Sequence, residues 1–458
     1  MTPSRRTSFL AILLIAAIGA SGCSTLSKIN PFKGKDAKDV AEGERISIIP
    51  ADQLLEPAAA LKGVDFALPP ATALADWPLP GGTPEQSVGH VDAGRNLSIA
   101  WRRGFGQGSK TSTHVMATPV VADGRVYVMD GQARVSARDA RTGAEVWSTN
   151  LRPPGRRDRV AFGGGVAFSE GKLYVSSGYR LVAQLDAATG AVGWTTRTSE
   201  PIHAAPTVTA GRVIVNALDN TLLTFSTADG TPGWTYQALS ESARILAASS
   251  PAVSGETVVA SFGSGELIAL RSGNGNDLWN EALSRASRTS ALSEIRDIPG
   301  RPVIYQGDVF AVSHSGVFSA TDLRTGQARW SLPVVGITTP APAGDVVYVV
   351  SKAGEVICAA RETGQIYWIR QLNPEDVKQK RGWFGIGKRK PRPLWTSPLL
   401  ANDRLLIAGT TGELVSLNAK TGEIQRRINL GAPTLIGPIA AGDTVYVVTD
   451  NAQLIAIR

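Results

Sequence analysis

The chain has 458 residues, with 48 glycines, 10 tryptophans, four histidines, two cysteines and a formal charge of +8. Length allows two or three domains and a large core, and short Val, Ile and Leu runs cut by Gly, Asp and Asn favour strands over long helices. Two cysteines exclude a disulfide framework, the scattered His90, His114, His203 and His314 lack metal-ligand spacing, and a modest basic excess selects no partner.

Arg5 and Arg6 precede an apolar run from Phe9 to Ile18, followed by small residues. This predicts an export signal over residues 1–22. The run is about half the roughly 20 residues that a membrane span needs. A twin-arginine signal is the alternative, although its Phe-Leu pair sits one position late. Ala20-Ser21-Gly22-Cys23-Ser24 resembles the lipobox of bacterial lipoproteins, which makes Cys23 the candidate for lipidation. In that class, Ser rather than Asp after the cysteine implies the outer membrane. Several acyl chains on Cys23 would hold the chain at the bilayer surface. Cys358, in Glu355-Val-Ile-Cys-Ala, is then left without a partner and reads as a small buried hydrophobe.

Residues 23–94 read as a Pro-rich tether or extension, with Pro57, Pro69, Pro70, Pro78, Pro80 and Pro84 and no sustained period. A strand-like piece covers Arg45 to Pro50, and the apolar stretch from Leu54 to Trp77 suits packing against the main domain.

From Asp139 onward one motif recurs, Asp-x-x-Thr-Gly-x-x-x-Trp. Its glycine stands at Gly143, Gly190, Gly230, Gly275, Gly326, Gly364 and Gly422, and its tryptophan at Trp147, Trp194, Trp234, Trp279, Trp330 and Trp368. Only the seventh copy departs, with Arg426. Successive glycines lie 38 to 58 residues apart, a propeller-blade period. Each unit carries three further apolar runs, so four strands per unit are predicted. The Asp bonds turn amides, the Gly supplies positive φ, and the Trp lays a ring between neighbouring sheets. These residues are read as structural docking positions.

After the seventh motif the chain supplies three strands, from Ile436 to Ile457, and stops. The segment Asn96 to Trp101 carries its own Trp and can complete the last blade. The prediction is an all-β fold, an eight-bladed propeller of four-stranded antiparallel blades over residues 95–458, closed by strand 96–101 with strands in 436–458.

The repeat resembles the tryptophan-docking motif of pyrroloquinoline-quinone-type eight-bladed propellers. That family includes quinoprotein dehydrogenases, whose calcium site and adjacent cysteines would imply an enzyme; this chain has no Cys-Cys pair, no GxSxG, no HExxH and no P-loop. With its lipobox, the chain is similar to the BamB family, lipoproteins of the outer-membrane β-barrel assembly machinery. The resemblance implies a non-catalytic scaffold without cofactor or metal, facing the periplasm from the outer membrane. Its implied partner is the POTRA domains of BamA, with nascent outer-membrane proteins a further one. A quinoprotein dehydrogenase and a general envelope adaptor remain the alternatives.

Connections from outer to next inner strand share one face and differ in length, from 11 residues between Trp194 and Pro206 to 29 between Trp368 and Pro398. Two consecutive ones mix apolar and charged residues, Ser242 to Leu246 and Ser293 to Pro299. The family resemblance assigns the partner contact to Arg244, Ile245 and Leu246 in the first and to Arg296 and Asp297 in the second; packing on the ring is the other reading. A basic insertion over 378–392 surrounds Trp383, Phe384 and Ile386. It suits an anionic surface or acidic partner, or else a solvated loop.

Overall fold

A computed structural model describes residues 55–111, 113–153, 162–240, 249–284, 295–373 and 391–458. Cys23 and the signal, Arg244 to Leu246, and residues 378–390 of the basic insertion lie outside the described residues.

Eight four-stranded antiparallel sheets make an eight-bladed β-propeller. Blades 1 to 7 cover 120–150, 164–197, 207–237, 252–282, 303–332, 341–371 and 399–429. Blade 8 combines strands Ile439–Ala441, Thr444–Val448 and Gln453–Ile457 with Ile99–Gly104 as its outer strand. That strand begins later than the expected 96–101. Leu97 turns the backbone into the left-handed region at φ 50°, and pairing starts with reciprocal bonds between Ser98 and Arg458.

Burial follows position within the blade. Val120–Ala122 and Val346–Val350 are buried throughout, because neighbouring blades cover both faces, whereas the outer strand Glu145–Asn150 alternates exposed and half-buried. Each outer strand carries a register shift just before its tryptophan position, as at Val146 before Trp147. Such bulges re-aim a side chain. Here the shift leaves Val146 exposed and turns the indole between blades.

The repeat works across blades. The indole of Trp147 covers Gly190 of the next blade, Trp194 covers Gly230, Trp234 Gly275, Trp279 Gly326, Trp330 Gly364 and Trp368 Gly422. Trp101 covers Gly143 and so joins blade 8 to blade 1. These glycines have φ between 69° and 75°, and a Cβ on any of them would run into the ring. Five indoles also donate to a carbonyl of the next turn, such as Trp147 Nε1 to Ala187 O at 3.0 Å and Trp330 Nε1 to Arg361 O at 2.8 Å. Trp101 and Trp368 lack this bond, and the hydroxyls of Tyr446 and Tyr348 donate to the equivalent carbonyls of Ala140 and Ala419. Cys358 is fully buried in its strand, where desolvation raises its thiol pKa.

Residues 55–98 run over one mouth of the ring and bond to every blade. Ala58 N donates to Ile366 O in blade 6, and Gly442 N of blade 8 donates to Leu74 O. Trp77 and Val121 of blade 1 exchange both backbone bonds, at 2.7 and 2.9 Å. Phe168, Val253 and Ile304, on the inner strands of blades 2, 4 and 5, donate to Pro78 O, Pro84 O and Glu85 O. The Gln86 side chain donates to Thr207 Oγ1 of blade 3, and Val91 N donates to Leu400 O of blade 7. Phe66, Trp77 and Leu79 are buried by these contacts. The extension therefore satisfies inner-strand edges that would otherwise face the channel unpaired.

Candidate partner-binding face

Antiparallel meanders put the turns between first and second strands, and between third and fourth, on one face. The extension lies there: Asp76 Oδ1 accepts from Asp123 N, and Asp65 pairs with Lys420 at 2.7 Å. The connections between blades therefore open on the opposite face, which carries Arg296 and Asp297, the two partner-binding candidates among the described residues.

Among the five candidates, the structure describes Arg296 and Asp297. Arg296 is exposed, and its Cβ and carbonyl pack beside Gly265 of the preceding blade. Asp297 is only 4% exposed, and its carbonyl accepts from His314 N at 2.8 Å. Asp297 thus seats the loop on the ring, while Arg296 stays exposed on its surface.

Three exposed apolar side chains on the same face were not singled out from the sequence. Leu239 is 68% exposed, Leu435 52% and Val335 41%, each in a connection between blades. Leu239 and Val335 sit in the connections before and after that of Arg296, so the three line consecutive loops. Isolated apolar residues in a loop give no periodic signal; their shared face is visible only once the blades are counted. Beside Leu239 lies an open groove of about 590 Å³ lined by Asp219, Tyr236, Gln237 and Glu266. Glu266 fixes its wall, with Oε2 accepting from Leu239 N at 2.9 Å and Ser264 Oγ at 2.7 Å, and Oε1 from Asn280 Nδ2 at 3.1 Å. Apolar anchors ringed by charge are the composition of a protein interface.

The histidines serve packing. His90 lies between Pro69 O and Asp403 N, at 2.7 and 2.9 Å, and so ties the extension to blade 7. His114 and His203 flank Phe162, with centroids 5.0 and 4.6 Å away. His314 Nε2 accepts from Lys352 Nζ at 2.7 Å, and burial together with that cation lowers its pKa.

The family model described as outer membrane protein assembly factor BamB matches residues 131–370 and 382–458. A model of the β-propeller domain of glucose, ethanol and alcohol dehydrogenases matches residues 91–169. Among relatives, the BamB of Moranella endobia is 24% identical over 343 residues, covering 74% of this chain and 84% of that protein. The BamB of Vibrio cholerae is 29% identical over 337 residues, covering 73% and 82%. Among solved structures, BamB from Moraxella catarrhalis superposes with a TM-score of 0.64 at 20% identity, covering 79% of this chain and 99% of that one. The quinohemoprotein alcohol dehydrogenase of Comamonas testosteroni superposes at 0.61 with 16% identity, covering 84% and 81%, a likeness of fold alone. With its eight Trp-docked blades and a family match running through most of the ring, the chain belongs to the family of the outer membrane protein assembly factor BamB.

Proposed function

We propose that the chain is a lipid-anchored, non-catalytic scaffold, held at the periplasmic face of the outer membrane through Cys23. In this reading its loop face binds the POTRA domains of BamA and so assists folding and insertion of outer-membrane proteins. The observation that carries the reading is the inequality of the two faces. The extension covers one, and the other offers Leu239, Arg296 and Val335 on consecutive loops. The connection of Arg244, Ile245 and Leu246 follows Leu239 directly and would enlarge the same patch.

The test is affinity isolation of the tagged lipoprotein from detergent-solubilised envelopes, with mass spectrometry and a visible spectrum of the eluate. The POTRA-containing barrel subunit should co-purify in a colourless eluate and be lost from Leu239→Asp and Arg296→Glu. A bound quinone chromophore without that subunit would favour the dehydrogenase alternative instead.

A further inference from the structure

The outer strands of blades 6, 7 and 8 carry Arg370, Arg426, Arg427, Arg102 and Arg103, and no carboxylate. Across the ring, the outer strands of blades 3 and 4 carry no basic residue and hold Asp277 and Glu281. In blade 5, Arg329 is neutralised by Asp308 and Asp322. On the basic wall, among the described residues, Arg427 alone has such a partner, Glu413 at 2.9 Å. The others donate to main-chain carbonyls: Arg370 to Gly422 O at 2.7 Å, Arg426 to Asn96 O, Arg103 to Arg102 O, and Arg102 to Asn429 O and Leu430 O.

A bond to a carbonyl requires no charge. Two residues after the motif tryptophan, Thr149 and Thr196 make the bond to Gly190 O and Gly230 O that Arg370 makes to Gly422 O. The charge of the wall is therefore surplus to blade packing, and each guanidinium keeps N–H donors beyond the one or two in use. Arg103, Arg426 and Arg427 are exposed, as are Ile99 and Ile424 at the start of the same two strands. The extension reaches the ring on this side. Leu55, the first described residue, packs on the core shared by blades 5 and 6, Ala58 N donates to Ile366 O at 2.8 Å, and Phe66 packs on Tyr367. Residues 24–54 join that point to Cys23.

We propose that the wall of Arg102, Arg103, Arg426 and Arg427, flanked by Arg370, rests on the anionic phospholipid headgroups of the membrane that holds Cys23. Phosphate oxygens complement a row of guanidiniums without carboxylates, and Ile99 and Ile424 meet the apolar boundary beneath the headgroups. Contact through the rim leaves both faces of the ring open, so the membrane does not compete for Leu239 and Arg296. The membrane setting rests on the lipid-anchor reading above; the wall itself does not.

The test sediments the full mature chain, with Cys23→Ser so that no acyl chain contributes, with phosphatidylcholine vesicles that contain or lack phosphatidylglycerol. Binding should require phosphatidylglycerol and weaken as salt rises. Arg103→Gln with Arg427→Gln should lower the partition coefficient about 25-fold, about fivefold for each charge at the surface, and Arg103→Lys with Arg427→Lys should retain it. Arg197→Gln with Arg271→Gln, the same charge change at exposed sites on other blades, should leave it unaltered. Equal losses in wall and control variants, an unaltered wall variant, or binding indifferent to phosphatidylglycerol overturns the proposal. So does loss of an acidic protein from pull-downs of the wall variant with vesicle binding intact, which would make the wall a protein site. Should the wall variant fold poorly, amide exchange of the unsubstituted wall on vesicles decides: protection over 99–104 and 424–429 supports the contact, and its absence sinks it. The mass of the native lipoprotein scores acylation of Cys23 separately, so a failed anchor is distinguished from a failed wall.

Discussion

Arg426 Nη1 donates to the carbonyl of Asn96 at 2.7 Å, at the one blade junction where no tryptophan stands. In the other outer strands the tryptophan follows its turn glycine by four residues; counting back from Trp101 reaches Leu97. Leu97 keeps the left-handed backbone of those glycines, with φ 50°, but fills the space with a buried side chain. No room is left for an indole from blade 7, and Arg426 bonds the peptide between Asn96 and Leu97 instead. The departure at the seventh copy and the missing eighth turn are thus one structural event.

The indole-on-glycine contact makes the motif glycine doubly constrained. Gly275 has φ 74°, and a Cβ there would lie 2.6 Å from Trp234 Cε3; Gly255 has φ 55° with nothing within 4 Å. Gly255→Ala should cost about 1–2 kcal/mol, the left-handed penalty alone. Gly275→Ala should cost more, by roughly 1–3 kcal/mol for the displaced ring. Equal losses in denaturant melts would show that the indole yields freely.

Trp77 anchors the extension where the chain first pairs with blade 1. It is 4% exposed, and its backbone is bonded to Val121 in both directions. Trp77→Ala should cost about 3–5 kcal/mol. Amide exchange should rise first at Val121 and Phe168, whose protons go to Trp77 O and Pro78 O. Unchanged exchange at both, in a variant that still folds, would mean that the extension is held elsewhere.

Acid should loosen the turns. Asp139 and Asp322 have lowered pKa values because the hydroxyls and amides of Thr142 and Thr325 bond their carboxylates. Asp186 is held at about 2, first by Lys172 and then by Thr189. A depressed folded pKa gives stability that is complete above the unfolded carboxylate range near 4 and is lost as pH falls through the folded value. The melting temperature should therefore fall between about pH 4 and pH 2, less steeply in Asp186→Asn. Identical slopes would assign the acid transition to other groups.

The blade count was legible because turn chemistry is local: a glycine four residues before a tryptophan marks six successive turns, and Gly422 marks the seventh. Leu97 was not, since it has the backbone of the motif without its glycine. The extension was hidden for another reason. Its bonds run to strand edges up to several hundred residues away, and a Pro-rich segment without periodicity reads the same whether free or laid across a ring. Asp297 shows the limit for site residues, because a charged loop sequence does not reveal which charges face inward.

The Leu97–Arg426 exchange can be tested as a coupled pair. Restoring the consensus at one side, Arg426→Trp, places an indole against the Leu97 side chain and removes the bond to Asn96 O. That variant should lose about 1–3 kcal/mol, the usual cost of overpacking. Leu97→Gly alone gives up a buried leucine and should lose about 2–4 kcal/mol, although it relieves the left-handed strain. Together the two changes recreate the arrangement of the other junctions, with an indole over a turn glycine. The double variant should be more stable than the sum of the single losses, by at least about 1 kcal/mol in a double-mutant cycle. Additive losses would show that Arg426 and Leu97 depart from the motif independently, and that blade 8 is closed by its Ser98–Arg458 pairing and Trp101 contact alone.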